Sequence, residues 1–438
     1  MNKMGIKWLY QELPELITRG ILTQEAADKI RQHYGEVKSI GKMTVMLIIL
    51  GTIGALLIGL GIILLLAHNW EQLSRLTRAV LSLAPLAIGQ ALALWVLWKR
   101  PQSGAFKEGS ATFLSLMVGA SIALINQTYN IPGDTGTFIL TWMLLIMPLA
   151  YLMQASIPAA IYLIGITVWS GTYWDNSAQA ILFWPLAAIT IPHFIWALRQ
   201  ESYALRATIL SLIMVICVSF AASFSLGETW PGSWVIIFPS LYSVFYFLGW
   251  LEVNKITTNW QRPLRLIGAI GLFILAFQFT FRYVWQHLDV DDYSYAMNRN
   301  IAGINALPDY IITLAIIAAA ILLFYDQVKR KNIMISLLGA VPLLAIIAYL
   351  VRGQSAVLPL IIFNVYLFIL SLSRIIVGVR SNNLAIINIG MLMLAMLIIA
   401  RFFDSDISFI IKGLVFIIVG SGFLVTNAIL ARRMRGAK

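Results

Sequence analysis

The stretch that decides the fold is residues 43–67, MTVMLIILGTIGALLIGLGIILLLA, which contains no charged side chain. A helix needs about 20 consecutive apolar residues to cross the roughly 30 Å hydrocarbon core of a bilayer. The stretch therefore predicts a transmembrane helix. It ends in Ala67-His-Asn-Trp70 and not in a small-residue cleavage site, so we expect it to stay in the protein as its first span.

The same pattern recurs along the rest of the chain. It predicts about fourteen spans, at 43–67, 76–98, 109–127, 135–153, 156–174, 178–198, 204–225, 232–251, 264–285, 309–328, 332–351, 355–376, 382–402 and 407–431. Because 60% of the 438 residues are hydrophobic and only 11% are charged, a water-soluble fold could not bury the apolar surface. We predict an all-α fold, a polytopic transmembrane helical bundle.

The distribution of Lys and Arg predicts the orientation of the spans. With the N-terminus inside, most of the 31 Lys and Arg residues fall in cytoplasmic segments, Arg265 and Arg374 among them, whereas Arg401 falls outside. This is the positive-inside bias, and it predicts that both termini are cytoplasmic. Contact of the basic loops with anionic membrane lipids accounts for the net charge of +12, so no nucleic acid partner is expected.

Residues 1–41 precede the first span and predict a short cytoplasmic amphipathic helical hairpin. Leu9, Leu13 and Leu16 recur at helical spacing. Gly20 suits a helix C-terminus, and Thr23 suits the N-cap of a second helix. So short a segment buries too little apolar surface to fold firmly alone. We expect it to dock on the bundle, the membrane surface or another chain, and we favour a homo-oligomer or partner contact through residues 1–41.

The spans themselves divide into two predicted bundles. Residues 42–251 hold about eight spans and residues 252–438 about six. Prolines lie inside several of the spans and predict kinks there, at Pro85, Pro148, Pro185, Pro239 and Pro342.

Residues that commonly carry enzymatic or metal chemistry are sparse. The single cysteine, Cys217, permits no disulfide within the chain. The four histidines are scattered without zinc-type pairing, at His33, His68, His193 and His287. We therefore expect no metal, no cofactor and no catalytic residue of a soluble-enzyme type.

A layer of polar and aromatic residues on the predicted extracytoplasmic side forms the candidate ligand site. Its members are Trp70, Glu71, Asn126, Gln127, Tyr129, Asn130, Asp134, Arg401 and Asp404. An interfacial aromatic belt is the alternative explanation for the Trp and Tyr residues. A charge at the membrane centre costs about 2.5–3.5 kcal/mol on insertion scales, so Arg401 is expected to face protein or water. Asp404 shares its helix face, which leaves a simple ion pair as the alternative to ligand binding.

Short motifs link the chain to a known family. They are Gly20-Ile-Leu-Thr-Gln-Glu-Ala26, Ala67-His-Asn-Trp70, Gln127-Thr-Tyr-Asn130 followed by Asp134, Trp142 with Pro148-Leu-Ala150, and Arg401-Phe-Phe-Asp404 with Lys412-Gly413-Leu-Val-Phe416 and Gly420. In these motifs the chain resembles the bacterial membrane proteins of domain-of-unknown-function family 2157. The resemblance implies a location in the bacterial cytoplasmic (inner) membrane and brings no activity with it.

Three functions fit these features. The leading one is a transporter or flippase-like protein for an anionic or lipid-linked small molecule, with Arg401 as the anion anchor, Glu71 and Asp404 as charge partners, and Gln127 and Asn130 as hydrogen-bond donors. The second is a membrane enzyme that acts on a lipid-linked saccharide at the outer face, with Glu71 or Asp134 as the base. The third is a non-catalytic membrane scaffold or sensor that makes contacts through residues 1–41.

Overall fold

The computed structural model of the protein describes residues 3–34, 72–174, 176–199, 204–226, 232–250, 262–288, 307–353 and 357–404, together with 413, 414, 417, 420 and 421. Every regular element in these residues is a helix, so the predicted all-α fold is confirmed for this part of the chain. The chain forms two compact units, Met1–Arg78 and Ala79–Lys438.

The N-terminal segment contains the two predicted helices, α1 (Lys3–Thr18) and α2 (Gln24–Tyr34). Gly20 follows α1 with a φ of +68°, a conformation that glycine adopts without strain. The Thr23 hydroxyl accepts a hydrogen bond from the Ala26 N–H (3.3 Å) and caps α2. Leu13 and Ala27 are fully buried. The helices and caps thus match the sequence pattern, while their cytoplasmic location stays a prediction.

The remaining helices are given in chain order. They are α3 (Arg75–Lys99), α4 (Gly104–Tyr129), α5 (Thr135–Leu152), α6 (Ser156–Gly171), α7 (Ser177–Ala180), α8 (Phe183–Ala188), α9 (Ile191–Arg199), α10 (Ala204–Ser225), α11 (Trp234–Leu248), α12 (Pro263–Gln278), α13 (Arg282–His287), α14 (Leu307–Lys329), α15 (Ile333–Gly339), α16 (Val341–Val351), α17 (Val357–Arg380) and α18 (Leu384–Asp404).

Within the described residues, nine helical segments are long and apolar enough to cross a membrane. Three shorter apolar helices, α6, α11 and α12, coincide with three further predicted spans. The protein is therefore a helical membrane protein. The count of about fourteen spans stays a prediction, because the first span, 43–67, and most of the last, 407–431, lie outside the described residues.

The two largest apolar clusters of the second unit share one helix, since α11 contributes to both. Ile237 and Leu241 belong to the cluster built with α5, α6 and α10, whereas Val235 and Phe247 belong to the cluster built with α12 and α15–α18. A helix that is apolar all round is stable only when it is buried, and α11 meets that condition. The predicted division between residues 251 and 252 follows directly after this helix and stays a prediction.

Two helix pairs approach closely because glycine replaces a side chain at their contacts. In the pair α11–α12, a Cβ added to Gly268 would lie 2.5 Å from the Tyr246 backbone nitrogen. In the pair α17–α18, a Cβ on Gly390 would lie 2.9 Å from the Ile375 nitrogen. Small residues allow such backbone approach in membrane proteins. Contacts between the two pairs, by contrast, are sparse.

Breaks interrupt the helices between α8 and α9, between α12 and α13, and between α15 and α16. Carbonyl groups freed at a break need a new donor, since lipid offers none. Side chains of neighbouring helices supply it. The Tyr162 hydroxyl donates to Leu186 O (3.0 Å), Trp285 Nε1 to Phe279 O (2.8 Å), and the Ser243 hydroxyl to Gly339 O (3.2 Å).

Candidate functional site

Most of the predicted site residues that the structure describes lie in the α4–α5 turn, residues 126–137. Asn130 ends α4 in the left-handed conformation (φ 49°, ψ 45°), and its N–H donates to Asn126 O. Asp134 caps α5, where Oδ1 accepts the Thr137 N–H (2.6 Å) and Oδ2 the Thr137 hydroxyl (3.2 Å). Asn tolerates the left-handed conformation, and Asp is a preferred N-cap. The turn itself therefore requires residues of these types.

The side chains of the same turn differ in exposure. Gln127 and Tyr129 are exposed, whereas Asn126 is half-buried. Asn126 lines a cavity of about 430 Å³ between α3, α4 and α5. Gln90 and Ser121 are the other polar residues of the lining, and the rest is leucine, isoleucine and valine. The cavity thus offers few polar groups to a ligand.

Arg401 lies near the end of α18 and is half-buried. Its Nη2 donates to the Thr280 hydroxyl (3.3 Å), and its Cζ lies 5.3 Å from the centroid of the Phe281 ring. Thr280 and Phe281 belong to the break between α12 and α13, where Asn364 of α17 donates to the Thr280 carbonyl (3.4 Å). Arg401 thus faces protein, as the cost of exposing its charge to lipid predicts.

For three of the other predicted residues, the structure gives no side-chain position relative to Arg401. Trp70 and Glu71 lie outside the described residues, as does the side chain of Asp404. The Arg401–Asp404 pair therefore stays a prediction. The structure brings Asn126, Gln127, Tyr129, Asn130 and Asp134 together in one turn.

A second site, which no motif in the sequence indicated, is a groove between the two glycine-packed pairs. We call it the arginine groove. It has a volume of about 360 Å³ and is lined at one end by Tyr246, Trp250, Arg265 and Arg374. The remaining lining is apolar and comes from α12, α15, α17 and α18. The sequence contains one indication of this groove. Arg265 and Arg374 lie within the predicted spans 264–285 and 355–376, close to their cytoplasmic ends.

The α4–α5 turn lies in a part of the chain that matches a known protein family. Residues 14–159 match the model of domain-of-unknown-function family 2157, which is described as a predicted membrane protein. This confirms the family resemblance. No curated protein and no solved structure matches the chain. The family 2157 segment includes the α4–α5 turn, and it includes neither Arg401 nor the arginine groove.

The family 2157 segment also contains a buried carboxylate that the sequence motifs did not single out. Glu108 of α4 is 8% exposed, and its oxygens accept the N–H groups of Ser156 (2.8 Å) and Ile157 (3.0 Å) at the start of α6. His193 of α9 lies beside the Ser156 hydroxyl, with Nε2 at 3.4 Å. A carboxylate is favourable at a helix N-terminus. Glu108 therefore fixes the sharp connection between α5 and α6.

Metal binding finds no support in this part of the chain. Among the described residues, no three His, Cys, Asp or Glu side chains are grouped so that they could hold a metal ion.

Proposed function

We propose that the protein is a transporter or flippase-like protein for an anionic or lipid-linked small molecule. The orientation of Arg401 toward the break between α12 and α13 is the observation that supports this most. Transporters commonly bind substrates where interrupted helices expose backbone groups inside the membrane. An arginine beside such a break adds a planar guanidinium suited to phosphate or carboxylate.

The topology belongs to the same proposal. We propose about fourteen spans, cytoplasmic N- and C-termini and a location in the bacterial cytoplasmic membrane. The distribution of Lys and Arg supports the orientation, and the family match supports the membrane location. Trp70, Glu71 and Asp404 remain proposed members of the site around Arg401, whereas helix capping explains Asn130 and Asp134 without a ligand.

Lipid movement across a vesicle membrane tests the transport proposal. The full chain is reconstituted into liposomes with a trace of fluorescently labelled phosphatidylglycerol, and the rate at which label becomes accessible to an external quencher is measured. We expect the wild type to accelerate this exchange over protein-free liposomes. Arg401→Gln is expected to slow it about tenfold, which corresponds to about 1.4 kcal/mol in the barrier.

The matched control is Arg282→Gln, because Arg282 lies beside the same break but is exposed. It should leave the rate unchanged, and Arg401→Lys should restore part of it if charge matters more than guanidinium geometry. Equal rates in wild type and protein-free liposomes, or in wild type and Arg401→Gln, contradict the proposal.

The proposed orientation can be tested through cysteine labelling. Cys217 is the single cysteine and is buried, so Cys217→Ala provides a background without reactive thiols. Gln102→Cys and Gly133→Cys then place one thiol at either end of α4. An impermeant maleimide applied to intact spheroplasts should label the second and spare the first. The reverse pattern contradicts the proposed orientation.

A further inference from the structure

The arginine groove is open because two rigid helix pairs flank it. Besides Gly268, Gly249 brings the pair α11–α12 into backbone contact, since a Cβ there would lie 2.3 Å from the Arg265 nitrogen. Gly378 does the same for the pair α17–α18, where a Cβ would lie 2.7 Å from the Ile387 nitrogen. Each pair is packed tightly within itself, and contacts between α12 and α17 are few. The space between the pairs is therefore a feature of the fold.

One end of the groove concentrates positive charge. The Cζ of Arg265 lies 3.6 Å from the centroid of the Trp250 ring, so its guanidinium is held flat on the indole. Arg374 lines the same groove close to the Tyr246 hydroxyl, so the positive charges of Arg265 and Arg374 lie within one pocket. Like charges held together in a partly buried site repel strongly, because the surrounding dielectric is low.

Three described arginines elsewhere in the chain have a carboxylate partner. Arg19, Arg31 and Arg330 form salt bridges with carboxylates on their own helices. In the part of the chain that the structure describes, no salt bridge involves Arg265 or Arg374. An anion between the two guanidiniums would remove their repulsion and accept charge-assisted hydrogen bonds.

The rest of the groove is lined by apolar side chains and faces the side of the helical bundle, where lipid surrounds a membrane protein. Ile270 of α12 is 48% exposed and Leu392 of α18 is 56% exposed, while Phe273, Met393 and Met396 continue the lining along the same helices. In a membrane protein, such exposed apolar side chains face lipid. A phosphate ion alone would leave this part empty, whereas a hydrocarbon chain would fill it.

We propose that the arginine groove binds one anionic glycerophospholipid of the surrounding membrane. Its phosphate lies between Arg265 and Arg374, and one acyl chain lies along α12 and α18 past Ile270 and Leu392. The basic end is on the side that the charge distribution assigns to the cytoplasm, where basic pockets between helices bind lipid head groups. The site stands on its own geometry and does not require transport.

Native mass spectrometry of the full chain in detergent tests this inference. The protein is mixed with phosphatidylglycerol, with phosphatidylcholine of the same chain length, or with inorganic phosphate. We expect one phosphatidylglycerol to bind at least about tenfold more tightly than phosphatidylcholine, the factor that about 1.4 kcal/mol gives. The double variant Arg265→Gln/Arg374→Gln should lose this preference, and Arg380→Gln should keep it, because Arg380 is exposed on the same helix end.

A second variant separates the acyl chain from the head group. Ala269 lines the groove, and Ala269→Phe should fill its apolar part while both arginines remain. Loss of phosphatidylglycerol binding supports the inference. Unchanged lipid binding in this variant, or phosphate binding as tight as lipid binding in the wild type, contradicts it. If the double Gln variant fails to fold, Arg265→Lys/Arg374→Lys keeps both charges, and we expect weaker binding with the preference retained; equal binding of both lipids contradicts the inference.

This test is separate from that of the proposed function. Binding is measured at equilibrium and depends on Arg265 and Arg374, whereas the rate of lipid movement is expected to depend on Arg401. A protein that binds phosphatidylglycerol in the groove yet moves no lipid would contradict the proposed transport and leave the lipid site intact.

Discussion

The α4–α5 turn and the arginine groove both place polar side chains at helix ends, but they leave those groups in different states. In the turn, Asp134 accepts hydrogen bonds from Thr137, and Asn130 closes the end of α4. In the groove, Arg265 and Arg374 lie near one another and near aromatic rings, with no carboxylate paired to them in the described residues. Polar groups that the backbone already satisfies maintain the fold, whereas charges held together without a counter-ion are suited to a ligand.

The largest expected effect concerns the framework of the groove. Gly268→Ala places a Cβ 2.5 Å from the Tyr246 nitrogen and 2.7 Å from its Cα, and backbone cannot move aside easily. We expect a loss of about 1–3 kcal/mol in the free energy of unfolding, as for an overpacked core. Gly133→Ala in the turn is the control, because nothing lies within 4 Å of the added Cβ. Unfolding in mixed micelles measures both; equal stabilities would show that the pair α11–α12 is not tightly packed.

The next largest effect concerns Glu108. Its carboxylate is buried, and both of its oxygens accept hydrogen bonds, as those of Asp134 do in the turn. Glu108→Ala leaves the Ser156 and Ile157 N–H groups without their acceptor. The expected loss of stability is about 1–3 kcal/mol, the cost of an unsatisfied buried donor. Glu25→Ala should cost at most about 1 kcal/mol, because its salt bridge with Lys29 is exposed. If the two variants are equally stable, Glu108 does not fix the connection between α5 and α6.

A smaller effect is expected at Asp134. Asp134→Ala removes the cap of α5 and should cost about 0.5–2 kcal/mol, whereas Asp134→Ser retains a capping oxygen and should recover most of it. Lipid binding in the groove should be the same in both variants. A variant Asp134→Ser that is stable but inactive in the vesicle assay would contradict a purely structural role, and would return this carboxylate to the candidate ligand site.

The smallest effect on stability is expected at Arg374, in the arginine groove. Because Arg374 repels Arg265, Arg374→Gln in lipid-free detergent should change the free energy of unfolding by no more than about 0.5 kcal/mol. Added phosphatidylglycerol should raise the melting temperature of the wild type and fail to raise that of the variant, since a ligand stabilises only the state that binds it. A large loss of stability without lipid would mean that Arg374 has an internal role.

Hydropathy was sufficient to locate the helices but not to assign their polar residues. The predicted span 76–98 agrees with α3 (Arg75–Lys99), because a membrane requires long apolar helices whatever the tertiary contacts. The α4–α5 turn was located correctly, yet the types of residue that cap helices are also those that bind ligands. Pro132 and Gly133, which lie between Asn130 and Asp134, are residue types typical of a turn.

The arginine groove could not be predicted from the sequence, because its walls come from segments about a hundred residues apart. Tyr246 and Arg265 meet Arg374 and Leu392 only after α11–α12 and α17–α18 have paired. A glycine in the sequence does not indicate which helix will pack against it. The break at Phe279–Phe281 was equally hidden, since a hydropathy window spans it without a change in signal, whereas Pro342 predicted a kink beside Ala340.

The most direct test of the lipid site is an electron cryomicroscopy structure of the full chain in nanodiscs of phosphatidylglycerol. We expect head-group density between the guanidiniums of Arg265 and Arg374, with a hydrocarbon tail along Ile270 and Leu392. A groove without lipid, or one in which a carboxylate of the protein lies between the two arginines, would contradict it.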